Sequence, residues 1–229
     1  AELRSAVGRK GTLAMPVFSQ NYPGMIEGPY SKEKSLSTAG RITEAFRKMP
    51  GVRRSDNPCH SIAAIGPLAD ALTAPHGNHD MFDRKGPFGR LHDLDAWIVM
   101  LGCSLGANTM LHAVEAWALP YLPPMFLYAD DGQGRIKRVL CRQFPSGHRE
   151  WYGKREQGKI QKRLFARGVI GRYELGRGTV YAMRTQRLVQ ACLGILKKEP
   201  DVFLCEETKC RDCPSWRAML VGWRVPDAV

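Results

Sequence analysis

Asn108, His112 and Glu115 stand four and then three residues apart, so a helix aligns all three on one face. A histidine beside a carboxylate is the pair that general-base chemistry uses: the carboxylate fixes the tautomer, and the remaining ring nitrogen takes the proton. A position in the first turns of a helix disfavours the imidazolium, which would hold His112 neutral and able to accept. Glu115 could instead reach a cationic substrate directly, and a structural polar face would show the same spacing.

Two other groups of residues invite chemistry. Cys205, Cys210 and Cys213 place three thiols within nine residues, a spacing that can clamp a structural zinc. Such a site wants a fourth ligand, for which His148, Cys141 and Cys192 are candidates; ordinary buried thiols are the alternative. His76-Gly77-Asn78-His79-Asp80 contains a Gly-Asn-His-Asp run similar to one signature of two-metal phosphoesterases. The companion Asp-x-His and Gly-Asp-x-x-Asp blocks are missing, so two metals cannot be bridged. His79, with Asp80, is expected beside a substrate cleft or in a loop cap.

These side chains need a scaffold, and 229 residues at 44% hydrophobic and 24% charged suffice for one sizeable core. Disorder is excluded by that apolar fraction. No run of 18 apolar residues occurs, so no membrane span is expected, and no secretory signal is visible. Seven cysteines, four of them scattered, suit a reducing, cytoplasmic setting. The net charge of +12 is concentrated: residues 132–190 hold fifteen Lys or Arg against three acids, which is the whole excess. Such a surface attracts polyanions or a phosphorylated cofactor, although no nucleic-acid motif accompanies it.

Gly11–Phe18 reads as a short buried strand closed by a proline, and Ser37–Arg47 as an amphipathic helix begun by Ser/Thr. Arg53–Pro58 is extended or turn-like, and Ser61–Leu72 a strand leading into a short helix. Trp97–Gly102 is the clearest strand; its unbroken apolar run predicts burial on both faces. Asn108 then caps a helix from Thr109 to about Leu119, stopped by Pro120. A hairpin beyond Asp131 and a helix near Thr185–Lys197 complete an α/β pattern with a mixed sheet. The expected organisation is one domain over 1–229, with a motif-bearing core to residue 131 and a basic, Cys-containing part from 132.

The run Asn108-Thr109-Met110-Leu111-His112-Ala113-Val114-Glu115 resembles the Asn-Thr-x-x-His-x-x-Glu motif of the aminoglycoside 3-N-acetyltransferase family. Gly11-Thr12-Leu13 through Ser19, Arg54-Ser55 through Gly66, and His79 with Pro87-Phe88-Gly89 are similar to three further family stretches, in the same order. The resemblance spans residues 1 to roughly 130 and is looser beyond. It implies a layered α/β sandwich with a mixed sheet, distinct from the other large acetyltransferase superfamily. It implies acetyl transfer from acetyl-coenzyme A to an aminoglycoside amine, with antibiotic resistance as the consequence.

In that light His112 would be the base, Glu115 its partner, and Arg54, Ser55 and Ser61 would lie near the coenzyme. Asn108, His79 and Asp80 would face the acceptor. The family's upstream His-Ser-Ser element, which lines the thioester site, has no counterpart here; either the sequence is truncated or that wall is absent. A polycationic acceptor also sits uneasily with a basic protein. Seven acids (Asp80, Asp83, Asp93, Asp95, Glu115, Asp130 and Asp131) are candidates for a local cation site, and an acceptor other than a clinical antibiotic is expected. The alternative function is a silent family member that binds nucleic acid or an acidic partner.

Overall fold

The apolar run that closes on Pro16 does form a strand. The computed structural model describes residues 2–19, 28–75, 80, 82–122, 124–142, 158–206, 210 and 212–229. In chain order its elements begin with α1 (Glu2–Val7), β1 (Leu13–Pro16), α2 (Arg41–Arg47), β2 (Arg53–Arg54), β3 (Ile62–Ile65), α3 (Ala69–Thr73) and α4 (Pro87–Asp93). There follow β4 (Trp97–Leu101), α5 (Met110–Ala118), β5 (Pro124–Asp130), β6 (Ile136–Arg142) and α6 (Lys159–Ala166). The chain ends with β7 (Gly171–Leu175), β8 (Gly178–Arg184), α7 (Thr185–Leu196) and α8 (Cys213–Met219). Two units form: Ala1–Arg90 with Pro124–Arg142, and Leu91–Pro123 with Gln143–Val229. The sequence division at residue 131 falls in the turn of the β5–β6 hairpin, whose strands pair from Pro124–Arg142 to Asp130–Ile136.

In the first unit β3 lies between β1 and β2, antiparallel to both. Pro16 ends an edge strand, where its missing N–H interrupts no ladder. Val17, Phe46 and Ala63 form a small core, against which Leu13, Met15, Val52 and Ile65 pack. Helix α2 starts four residues later than its sequence suggests. Ser37 does not cap it; the Ser37 N–H donates to Glu44 Oε2 at 2.8 Å, and its hydroxyl meets Thr43 Oγ1 at 3.0 Å. Gly66, where β3 leaves for α3, has φ +127, and a Cβ there would stand 2.5 Å from the Gly11 carbonyl oxygen.

Arg54 is the polar centre of this unit. Its side chain is buried, and five N–H groups find protein acceptors: Ser61 Oγ (3.3 Å), the carbonyls of Lys32 (3.0 Å), Ser35 (2.6 Å) and Val17 (2.8 Å), and Ser19 Oγ (2.6 Å). The guanidinium also lies over the Tyr30 ring, 5.1 Å from its centroid. Burial pushes the Tyr30 phenol up to about 12, so it remains a donor, and it donates to the Ser55 carbonyl at 3.0 Å. The backbone of Tyr30 makes an isolated parallel bridge to Ala129 of β5. All pairing between named strands is antiparallel, so parallel pairing is confined to that bridge among the described residues.

In the second unit β8 is central, with β4 and β7 on its two sides. Here the expectation for β4 is corrected. Trp97, Val99 and Leu101 are 61%, 54% and 42% exposed, and Met100 alone in the strand is fully buried. An apolar run does not by itself say how many faces are covered: β4 is an edge strand, and its alternate residues share an open face. Helix α7, with Leu188, Val189, Cys192 and Leu196 buried, packs against α5 and α6. Asp95, in the left-handed region at φ 46, ties β4 to α7: it accepts from Arg184 at 2.7 Å and from the Gln186 N–H at 3.0 Å.

Arg54→Lys supplies three donors in place of five and leaves buried carbonyls unanswered. A loss of about 2–4 kcal/mol is expected from urea unfolding, in line with the cost of orphaned buried acceptors. An unchanged midpoint would show that the guanidinium does not hold this unit.

Candidate active site

The site is assembled by a short sequence of local events. Leu105–Ala107 make one 3-10 turn, and Asn108 leaves it in extended conformation. The Asn108 side chain then serves both neighbours: Oδ1 accepts the Met110 N–H at 3.2 Å, and Nδ2 donates to Met183 Sδ on β8 at 3.3 Å. Asn108 therefore starts α5 and pins it to the sheet. It is buried with both ends of its amide engaged, which suits positioning better than contact with an acceptor.

His112 and Glu115 follow on one face, as their spacing predicts. His112 Nδ1 lies 3.2 Å from Glu115 Oε2, and the side chains are 13% and 1% exposed. An ionised carboxylate only accepts, so in the neutral ring this contact puts the hydrogen on Nδ1 and the lone pair on Nε2. Glu115 Oε1 accepts from the Tyr121 hydroxyl at 3.1 Å. Sequence reasoning missed Tyr121, six residues on and off the helical period. It reaches Glu115 because Leu119 leaves the helix at φ −126, ψ 146 and Pro120 carries the chain back. Trp216 of α8 stacks on Tyr121, centroids 4.7 Å apart and planes at 11°. Trp223 Nε1 donates to the Ala118 carbonyl at 2.9 Å, closing the C-terminal end of α5.

The other expected site residues are placed differently. Arg54, Ser55 and Ser61 do come together, but inside the first unit. Ser61 Oγ donates to the Val17 carbonyl at 2.9 Å, and Ser55 Oγ accepts the Ile62 N–H at 3.0 Å. The five N–H groups of Arg54 are taken up by protein acceptors, so these residues hold one another in this structure. His79 and His148 lie outside the described residues. Asp80 is half-buried, and its carboxylate accepts the Phe82 N–H at 3.0 Å. The Cys205, Cys210 and Cys213 sulfurs lie within 4.8 Å of one another, and neither Cys141 nor Cys192 joins them.

The expected polyanion-attracting surface is partly neutralised in space. Arg184 pairs with Asp95, Arg163 with Glu199, Lys159 with Glu206, Arg135 with Asp131 and Lys137 with Asp56. The same pairs remove Asp95 and Asp131 from the expected acidic cation site.

A carboxylate-paired imidazole, 13% exposed near the start of a helix, is an arrangement that general-base chemistry can use. The family model for aminoglycoside 3-N-acetyltransferase matches residues 1–197, and the chain belongs to that family. It is 29% identical to aminoglycoside N(3)-acetyltransferase IV of Salmonella sp over 231 residues, covering 93% of this chain and 81% of that protein. A solved variant of the aminoglycoside acetyltransferase AAC(3)-IVa, in complex with gentamicin C1A, is similar at TM-score 0.76 and 27% identity, over 95% of this chain and 81% of that one. AAC-IIIb, solved as a binary complex with CoASH, shares the fold at TM-score 0.70 and 19% identity, over 88% of this chain and 81% of that one.

Removing the Tyr121 hydroxyl in Tyr121→Phe deprives a buried carboxylate of one donor. Chemical unfolding should show a loss of about 1.5–3 kcal/mol, the range for hydrogen bonds to charged groups. A loss within error of zero would mean that the hydroxyl does not support Glu115.

Proposed function

We propose that this protein transfers the acetyl group of acetyl-coenzyme A to an amine of an aminoglycoside or a related amino compound, with His112 as general base. The observation that carries this reading is the 3.2 Å contact between His112 Nδ1 and buried Glu115, in a ring that keeps 13% of its side-chain surface exposed. Family membership supports it, as does the aminoglycoside bound to a similar protein.

An aliphatic amine has a pKa of about 10 in the lysine reference case, so at neutral pH it arrives mostly protonated. The ammonium first loses one proton to solvent; as the freed lone pair attacks the thioester carbonyl, His112 Nε2 takes the second proton from the nitrogen. The tetrahedral intermediate collapses, the C–S bond breaks, and the leaving thiolate takes the proton back from the imidazolium. Glu115, held by Tyr121, stabilises the imidazolium between those two transfers and is a positioning residue. Asn108 acts one step further back, through the start of α5. Direct attack by the amine needs no enzyme nucleophile. No helix among the described residues is long and apolar enough to cross a membrane. The reading carries a cytoplasmic setting, in keeping with the scattered thiols, and antibiotic modification as the outcome for the cell.

The test is thiol release from acetyl-coenzyme A across a panel of aminoglycosides and simpler amines. His112→Ala should lower turnover by ~10²-fold or more, the scale of general-base catalysis. Glu115→Gln should lower it about tenfold and move the acid limb of the pH–rate profile downward. That sign follows because loss of the neighbouring negative charge makes the imidazolium a stronger acid. Silence with every amine, or full activity in His112→Ala, would overturn the proposal.

A further inference from the structure

We infer that Cys205, Cys210 and Cys213 form a zinc site that fastens α8 behind the active-site carboxylate. All three residues are buried, and their sulfurs converge within 4.8 Å. Cys205 Sγ and Cys213 Sγ stand 3.6 Å apart. Thiolates at 2.3 Å from one tetrahedral zinc stand about 3.8 Å from each other, whereas a disulfide requires about 2.0 Å. The Cys213 N–H points to Cys210 Sγ at 3.4 Å.

The donor set narrows the metal. Thiolates favour zinc, copper(I) or iron–sulfur clusters, and the common clusters need four cysteines or a Cys/His set. The other four cysteines of the chain lie outside the group, so the fourth ligand is an oxygen or nitrogen donor. A zinc with three thiolates carries a net negative charge. Arg217 lies alongside: it donates to the Cys205 carbonyl at 3.1 Å and to Asp201 Oδ2 at 3.0 Å.

The consequence reaches the active site. Cys213 opens α8, and three residues on, Trp216 stacks on Tyr121, the donor to Glu115. The metal thus anchors the ring that backs the hydroxyl that holds the carboxylate. This cluster lies beyond residue 197, where the family match ends.

The experiment is metal analysis of the intact protein purified under reducing conditions, followed by replacement with cobalt(II). About one zinc per chain is expected, together with a tetrahedral cobalt spectrum that shows sulfur-to-metal charge transfer. Cys210→Ser and Cys213→Ser should each lose the metal, and stripping zinc with a chelator should change the tryptophan fluorescence. None of these readings depends on acetyl transfer. Three titratable thiols with no uptake of added zinc or cobalt would overturn the inference. So would a Cys205–Cys213 disulfide in metal-free protein, or a cobalt spectrum without charge transfer. If the serine variants fail to fold, the cobalt spectrum of the unaltered protein still decides.

Discussion

A carboxylate with 1% of its surface in water is tolerated only where hydrogen bonds replace the solvent it has lost, and Glu115 receives them from His112 and Tyr121. That requirement organises much of the second unit. The imidazole must lie one helical turn from the carboxylate, which α5 provides. The phenol must come from outside the helix, which the exit at Leu119 and the turn at Pro120 provide.

The parts of this site that were legible in the sequence are those governed by local geometry. His112 and Glu115 meet because residues three apart on a helix are neighbours, and Asn108 reaches the first N–H of α5 two residues on, although Thr109 holds the N-cap position. Tyr121 and Trp216 were not legible, since one depends on a chain reversal and the other on a helix 95 positions further on. The Arg54 segment is an intermediate case. Its resemblance to the family located the residues together but did not say what they touch; four of the five acceptors come from residues 17–35, which no spacing rule connects to position 54. Strand β4 shows the opposite failure. Apolarity made the strand easy to find, but whether a sheet face is covered depends on neighbours that a single strand does not encode.

Charge behaves in the same way. Residues 132–190 carry the entire formal excess, yet several of their cations meet acids drawn from outside that stretch: Asp56, Asp95, Asp131, Glu199 and Glu206. Such surface pairs are worth little individually as stability. What they change is the field. A stretch that reads as a polyanion surface becomes a mixed one, and the conflict between a basic protein and a cationic acceptor is reduced.

The active helix also depends on sequence that the family model does not cover. The model match ends at residue 197, but Trp216 stacks on Tyr121 and Trp223 closes the last turn of α5. Both tryptophans come from a short tail with one seven-residue helix, too short to be stable by itself. A tail of that kind can position an active-site residue only if something rigid holds it. Among the described contacts that hold it are the Arg217 bonds to Asp201 and the Cys205 carbonyl and the Lys197–Asp227 ion pair, beside three converging buried thiols. The tail and the buried carboxylate are therefore joined through one stacked pair of rings, because Trp216 lies on the Tyr121 ring whose hydroxyl donates to Glu115.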